Sequence, residues 1–182
     1  MFKGCGSLTE LDVSSFNTGN VTSMNHMFQD CKSLIQLDLS HFNTSKVTNM
    51  TYMFYNCTKL VELNIDNFNT CKVINMGRMF WWCSSLKSLD VRSFNTSNVT
   101  SMERMFANCT TLTQLDVSNL RTDNVKGMNT MFGACSGLTS LDLTNFKTEN
   151  VTDMGAMFSG CTGLTNLDVS KFNTSNVTNM VT

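Results

Sequence analysis

The chain repeats itself every 26 residues. Methionine opens each repeat without a slip, at Met1, Met27, Met53, Met79, Met105, Met131 and Met157. The 182 residues therefore divide into seven units with no remainder: 1–26, 27–52, 53–78, 79–104, 105–130, 131–156 and 157–182. A fixed period of this length indicates a solenoid, in which each unit packs only on its neighbours. We therefore predict a single solenoid domain over residues 1–182.

The apolar residues fall on fixed columns of this repeat. Nine positions are apolar in all seven units, and they include all 14 methionines and all 13 phenylalanines. In the second unit these positions are Met27, Phe28, Cys31, Leu34, Leu37, Leu39, Phe42, Val47 and Met50. One unit is too small to bury such a face alone, so the columns predict a continuous core that runs through the stack.

The apolar spacing changes within the unit. Val21, Met24, Met27, Phe28 and Cys31 share one arc of a helical projection, so this segment predicts a short amphipathic helix. Leu37 and Leu39 alternate with a polar residue, which predicts a strand. The fold class is thus an α/β solenoid of the leucine-rich-repeat type, with a parallel β-sheet on one face and short helices on the other. An all-β solenoid is the alternative, because ten residues of helix are marginal and Thr and Val favour strands.

One stretch makes a family resemblance specific. Residues 94–102 read Phe-Asn-Thr-Ser-Asn-Val-Thr-Ser-Met, and Met105-Phe106, Cys109, Leu112 and Leu115-Asp116-Val117-Ser118 follow. This pattern resembles the 26-residue repeat of bacterial surface proteins, the BspA-like branch of the leucine-rich-repeat proteins, and it covers the whole chain. The resemblance implies a cell-surface or secreted location, adhesion to host molecules and no catalysis. It carries over no functional residue, because the motif positions are scaffold.

The two ends lack the features of solenoid caps. Terminal units normally carry an altered, polar outer face, and neither end of this sequence does. We therefore expect exposed core, fraying or end-to-end self-association. The absence of a signal peptide and of an anchor favours a piece of a longer array.

Composition excludes several classes of function. The net charge is −1 and only 15% of the residues are charged, so there is no basic footprint for nucleic acid. No apolar run reaches the roughly 18 residues of a membrane span. The only histidines, His26 and His41, lie in different columns without a paired nucleophile, and no glycine loop for phosphate is present. We predict that the protein is not an enzyme and has no cofactor.

Three polar or thiol columns accompany the core. Acidic side chains follow one strand position, at Asp12, Asp38, Asp90, Asp116, Asp142 and Asp168, with Asn64 in the third unit. Their mutual repulsion requires compensation, either by hydrogen bonds from nearby hydroxyl or backbone N–H groups or, less favoured, by calcium bridging between units. The invariant threonines predict hydrogen bonds that either run along the stack or close a loop: Thr18, Thr44, Thr70, Thr96, Thr122, Thr148 and Thr174.

Seven of the eight cysteines form another column, at Cys5, Cys31, Cys57, Cys83, Cys109, Cys135 and Cys161. We interpret them as small buried apolar residues. They have no Cys-x-x-Cys spacing, which argues against a metal site. Cys71 lies outside the column, in a loop, and is expected to be an exposed thiol.

Candidate binding residues lie where the units differ. Four aromatic residues other than Phe occur, and all are off the apolar columns: Tyr52, Tyr55, Trp81 and Trp82. Tyr52 shares its position with His26, Arg78 and Arg104, so adjacent units place these side chains together. Exposed Trp, Tyr and Arg dominate binding hot spots and also stack on sugars or cations. We predict that these six residues contact an extracellular protein or glycan. The alternative is that the aromatic residues only cover helix ends, or that Trp81 and Trp82 fill a local gap.

The leading functional prediction is therefore an adhesin-like, non-catalytic interaction module at the cell surface. The alternatives are a structural spacer or stalk and a fragment of an array with no ligand of its own.

Overall fold

The computed structural model describes all 182 residues, and residues 26 apart lie side by side throughout it. Two short parallel strands, β1 (Gln36–Asp38) and β2 (Glu62–Asn64), pair in the register Gln36 to Glu62, Leu37 to Leu63 and Asp38 to Asn64. Single parallel bridges extend this stacking along another line: Ser23, Asn49, Asn75, Ser101, Gly127, Asp153 and Asn179. The predicted repeat solenoid is confirmed as the architecture, whereas the seven-unit division of the domain stays a prediction.

The apolar columns form one continuous core. A single cluster of 46 buried hydrophobic residues runs along the stack. Its most regular part is a row of parallel phenylalanine rings, with centroids 5.5–5.8 Å apart: Phe2, Phe28, Phe54, Phe80, Phe106, Phe132 and Phe158. Each interior ring is buried between the rings of the two neighbouring units, so no unit has a complete core of its own.

The predicted helices are wrong. The structure contains no helix. Where helices were expected, six-residue turn segments occur instead, at residues 25–30, 51–56, 77–82, 103–108, 129–134 and 155–160. Within the first of these, the N–H of Phe28 donates to the carbonyl of Met53 in the next unit (2.9 Å), while the N–H of Gln29 turns back to His26 (3.2 Å). Backbone N–H groups thus alternate between the neighbouring unit and the local turn.

Backbone conformation explains this difference. The turn segments hold residues with φ near +60°, such as His26 (59°) and Asp30 (60°), at the third position of successive β-turns. A helix of about ten residues is marginal in water, whereas the turn segments pair half of their N–H groups with the next unit. The apolar spacing of the sequence fits either conformation, because both leave the same side chains facing the core.

The strand prediction is confirmed only in part. Leu37 and Leu39 are buried while Gln36 and Asp38 are exposed, as the alternation predicts. Regular strand pairing, however, is confined to β1 and β2. The all-β alternative therefore describes the bonding between units better than helices do, although most of that bonding comes from bridges and turns rather than from a continuous sheet.

The threonine column bonds along the stack, as predicted. The hydroxyl of Thr96 donates to the carbonyl of Arg121 in the next unit (2.8 Å) and accepts the N–H of the same residue (2.7 Å). Thr18, Thr44, Thr70, Thr122 and Thr148 repeat this two-way contact. These threonines are buried, so each hydroxyl supplies the hydrogen bonds that water would otherwise make to a backbone N–H and a carbonyl.

The cysteine column is mainly interior packing, and all eight thiols are free. The Sγ of Cys57 donates to the carbonyl of Phe28 in the preceding unit (3.1 Å), and the same contact recurs down the column. Burial raises the pKa of Cys31 to about 11 and that of Cys135 to about 12. These interior thiols are therefore protonated at neutral pH. Cys5 is exposed, and Cys71 is half-buried rather than fully exposed as expected.

Candidate functional site

The turn segments place the six predicted binding residues on one outer surface. Backbone bonds between units fix their spacing: the N–H of Tyr52 donates to the carbonyl of Gly77 (3.2 Å), and that of Arg78 donates to Glu103 (2.7 Å). Residues 26 apart are thereby aligned in rows. His26, Tyr52, Arg78 and Arg104 form one row, and Gln29, Tyr55 and Trp81 form the next.

Aromatic rings interlock across these rows. The rings of His26 and Tyr52 stack with centroids 4.7 Å apart. Tyr55 meets Tyr52 edge-on at 5.6 Å and lies 4.8 Å from the ring of Trp81. Such pairs contribute about 0.5–1.5 kcal/mol each beyond the area they bury. The rings therefore support one another and form a connected layer over three successive turn segments, 25–30, 51–56 and 77–82.

Two arginines extend this layer by cation–π contacts. The guanidinium of Arg78 lies 5.2 Å from the centroid of Tyr52, and that of Arg104 lies 5.4 Å from Trp81. Both arginines also form ion pairs with the carboxylate of Glu103. Glu103 accepts a further bond from the amide of Asn129 at 3.2 Å. The charge of Glu103 thus holds both guanidinium groups in place.

Glu103 is a residue that the sequence prediction missed. It occupies the column of Thr51 and Gly77, where no other unit has an acid. A signal was present, because Glu103 adjoins Arg104 and lies 25 residues after Arg78, which places it within reach of both guanidinium groups once the units stack. His26 also contributes: the sequence places it in the row of Tyr52, although not among the six predicted binding residues, and its ring completes the stack on Tyr52.

Trp82 differs from the other five predicted residues. Its side chain is 41% exposed, whereas Tyr52, Tyr55, Arg78, Trp81 and Arg104 are all partly buried. Its backbone is left-handed, with φ of +63°, and in this it resembles Tyr52, Arg78 and Arg104 rather than differing from them. Its indole N–H has no acceptor in the protein, while that of Trp81 donates to Asn108 Oδ1 (3.2 Å). The structure therefore separates five interlocked residues from one free indole.

Amide side chains flank Trp82 on both sides of its row. Asn56 precedes it by one unit and Asn108 follows it by one unit. The Nδ2 group of Asn56 donates to Asp30 Oδ1 (2.7 Å), so its Oδ1 is left for a ligand. Asn108 accepts from Trp81 through its Oδ1, so its Nδ2 group is left as a donor. The free indole thus lies between one unused acceptor and one unused donor.

A second, acidic surface lies over β1 and β2. A groove of about 710 Å³ is lined by 13 residues, which include Glu10, Asp12, Asp38, Glu62 and His41 and no lysine or arginine. His41 is engaged there, since its Nε2 donates to the carbonyl of Val13 (2.8 Å). The groove repeats the polar, mildly acidic strand face that the sequence shows.

The aspartate column is compensated by hydrogen bonds within each unit. The Oδ1 of Asp12 accepts the backbone N–H of Ser14 (2.8 Å), and five more aspartates repeat this contact two residues along: Asp38, Asp90, Asp116, Asp142 and Asp168. These bonds lower the pKa of every carboxyl in the column; the bond from the backbone N–H contributes most at Asp12, and the Arg92 side chain contributes most at Asp90. No group of three or more His, Cys, Asp or Glu side chains is arranged to hold a metal ion. Calcium bridging stays a prediction.

Both histidines contact acceptor groups of the protein. The Nδ1 atom of His26 contacts Gln29 Oε1, and His41 is hydrogen-bonded to a backbone carbonyl.

No helix in the structure combines the length and the apolar character needed to cross a membrane.

The stacked units, the buried apolar columns and the parallel bridges define a solenoid of the leucine-rich-repeat type. A solved leucine-rich repeat protein from Bacteroides ovatus ATCC 8483 is similar in fold, with a TM-score of 0.55 and 23% identity over 89% of this chain. The chain spans 41% of the length of that protein. No curated protein is significantly similar to the chain.

A family model described as "Mycoplasma protein of unknown function, DUF285" matches residues 1–89, 56–140 and 78–182. Together these matches cover the whole sequence, and the chain belongs to this family. The predicted resemblance to the BspA-like repeats is confirmed.

Proposed function

We propose that the protein is a non-catalytic interaction module of the cell surface, which binds an extracellular protein or glycan through the surface around Trp82. The main observation is that a large aromatic residue is held in solvent, in a left-handed conformation, at a position where other units have Gly4, Asp30, Asn56 and Asn108. The left-handed conformation costs about 1–3 kcal/mol for a residue other than glycine, and the turn segments impose it in most units, so the feature particular to this unit is the large exposed side chain.

The interlocked layer supports this role by preorganisation. Tyr52, Tyr55, Trp81 and both arginines are fixed by one another before any ligand arrives. A ligand therefore orders few side chains on binding, and this reduces the entropic cost of association. The surface location itself rests on the family resemblance.

A structural spacer is the second candidate function. It is favoured by the side chains that the later units carry in the rows of Tyr52, Tyr55 and Trp82. Past Arg104, the corresponding rows carry Gly133, Ala134, Ala156 and Gly160, which offer no hot-spot side chains. A spacer needs only the stacked core and the ladders between units. Under this proposal the aromatic layer would be a local covering without a partner.

Binding of the purified chain to immobilised matrix proteins and glycans tests the proposal, with Trp82→Asn as the decisive variant. Asparagine is the residue of the two flanking units and tolerates positive φ, so the variant keeps the fold. Ile74→Thr is the matched control, because it also removes an exposed apolar side chain (51% exposed) and restores the residue of Thr48 and Thr100.

We expect binding that the control retains and Trp82→Asn loses. Absence of binding by the wild-type chain would favour the spacer. Self-association through the ends stays a prediction. Because multivalency would strengthen the apparent binding, light scattering should measure the oligomeric state of the same samples.

A further inference from the structure

We infer that the ligand of this surface is a neutral oligosaccharide, which places the apolar face of one sugar ring against the Trp82 indole. This inference rests on the proposed function and names its partner class. It draws on three observations: the charge balance of the surface, the exposure of one indole, and the unused hydrogen-bonding groups on either side of it.

The charges of the surface already cancel. Arg78 and Arg104 both pair with Glu103, and Asp30 accepts amide donors from Gln29 and Asn56. The guanidinium groups also lie over aromatic rings, which occupies their faces. The two guanidinium groups are balanced by two carboxylates, Glu103 and Asp30, so an anionic glycan or an acidic protein gains no net attraction from this surface. The surface therefore favours a partner without charge.

The environment of Trp82 matches a sugar ring. An indole that is 41% exposed offers an apolar surface on which the C–H groups of a pyranose can pack. The other rings of the layer have faces covered by neighbours: Tyr52 lies between His26 and Arg78, and Trp81 lies between Tyr55 and Arg104. Trp82 is thus the one tryptophan that can accept a stacked ring without rearrangement of the layer.

The groups beside Trp82 match hydroxyls. Asn56 Oδ1 can accept a hydrogen bond, while Asn108 Nδ2 and the Trp82 indole N–H can donate. Each sugar hydroxyl both donates and accepts, so a ring on Trp82 can satisfy an acceptor on one side and a donor on the other. The rigid backbone ladder between the units holds these groups at a fixed spacing, because the N–H of Asn56 donates to Trp81 (2.8 Å) and that of Trp82 donates to Ala107 (3.0 Å).

The test titrates the full chain with cellohexaose and N-acetylchitohexaose as neutral probes and with a heparin hexasaccharide as the anionic probe. Calorimetry gives the affinity, and the two indole N–H resonances in NMR spectra show which tryptophan responds. The Trp82→Asn variant assigns those resonances and serves as the binding-deficient form, with Ile74→Thr as the control.

We expect a neutral probe to bind and to shift the Trp82 indole resonance. The affinity should fall at least about tenfold in Trp82→Asn and should change less than about twofold in Ile74→Thr. It should also change less than about twofold between about 50 and 500 mM NaCl, because no net charge is involved.

Other outcomes overturn the inference in distinguishable ways. Binding of heparin alone, or neutral binding that Trp82→Asn retains, contradicts it. If no oligosaccharide binds but a matrix protein does, and Trp82→Asn loses that protein, the partner class is wrong and the proposed function stands. If nothing in either panel binds, both the partner class and the proposed function fail.

Discussion

Replacing Thr96 with valine should be among the most destabilising conservative changes in the protein. Valine has nearly the same shape as threonine but lacks the hydroxyl, so packing is retained and only polar contacts change. Thr96 is 1% exposed, and its hydroxyl bonds to both the N–H and the carbonyl of Arg121 in the next unit. The hydroxyl lies inside the stack because Thr96 is buried, whereas Arg121 is exposed.

The expected loss of stability follows from those two bonds. Each hydrogen bond contributes about 1 kcal/mol net, and a buried backbone group left without a partner costs about 1–3 kcal/mol. Thr96→Val removes two bonds and leaves a backbone N–H and a carbonyl unpaired. We expect the free energy of unfolding to fall by about 2–4 kcal/mol.

Urea denaturation followed by circular dichroism and tryptophan fluorescence measures this change. Thr96→Ser keeps the hydroxyl and should lose about 1 kcal/mol or less, for one methyl group. Thr174→Val is the positional control: it is the same substitution in the same column, but Thr174 is exposed and its hydroxyl bonds to nothing, so stability should be unchanged. If Thr96→Val proves as stable as Thr96→Ser, the threonine column does not hold the units together.

Two further predictions concern the thiols and the carboxyl groups. Burial raises the pKa of the Cys83 and Cys109 thiols well above the ordinary value, so a thiol reagent should modify the exposed Cys5 and then the half-buried Cys71 first and reach Cys83 and Cys109 only on unfolding; mass spectrometry of briefly labelled protein checks the order, and early labelling of Cys83 would contradict it. Hydrogen bonds from Lys147 and then Arg121 lower the pKa of Asp123 to about 2, so its contribution to stability is present above the unfolded pKa of about 3.9 and is lost as the pH falls towards 2. Urea midpoints measured from about pH 5 to pH 2 should therefore fall less steeply in Asp123→Asn than in the wild type, and equal slopes would refute the assignment.

The core was predictable from the sequence because the regular spacing of apolar residues is enough to identify it. Every column that repeats as Leu, Phe, Met or Val across the units contributes buried side chains, and the stacking of Phe28 on Phe54 requires only that residues 26 apart be neighbours. The threonine column was predictable for the same reason, since a buried hydroxyl repeated in every unit needs a partner in the next one.

The helices were not predictable in the same way. The apolar positions from Val21 to Cys31 fit a helix, but the decisive variable is where the backbone N–H groups bond. In the stacked structure the N–H of Phe28 donates to a carbonyl of the next unit. The hydrophobic spacing within one unit cannot predict this hydrogen-bond partner. His26 has a positive φ, but a glycine, which would have indicated such a turn in the sequence, is not found at this position.

Part of the candidate surface was predictable, because aromatic residues off the apolar columns are visible in the sequence. Their division into two roles was not. Only the geometry shows that Trp81 is packed and bonded to Asn108 while Trp82 is free. A double substitution of both tryptophans would therefore mix damage to the layer with loss of a contact, and the single Trp82→Asn change separates them.

The turn segments have a consequence for how such a protein can change its specificity. Each segment presents left-handed positions whose side chains point away from the core, as Trp82, Asn108 and Ala134 do at equivalent places. The core columns and the bonds between units do not depend on what those positions carry. New recognition surfaces can therefore arise by exchanging a few outward residues, unit by unit, on an unchanged scaffold. The same property makes these positions suitable sites for a randomised library from which binders to other ligands could be selected.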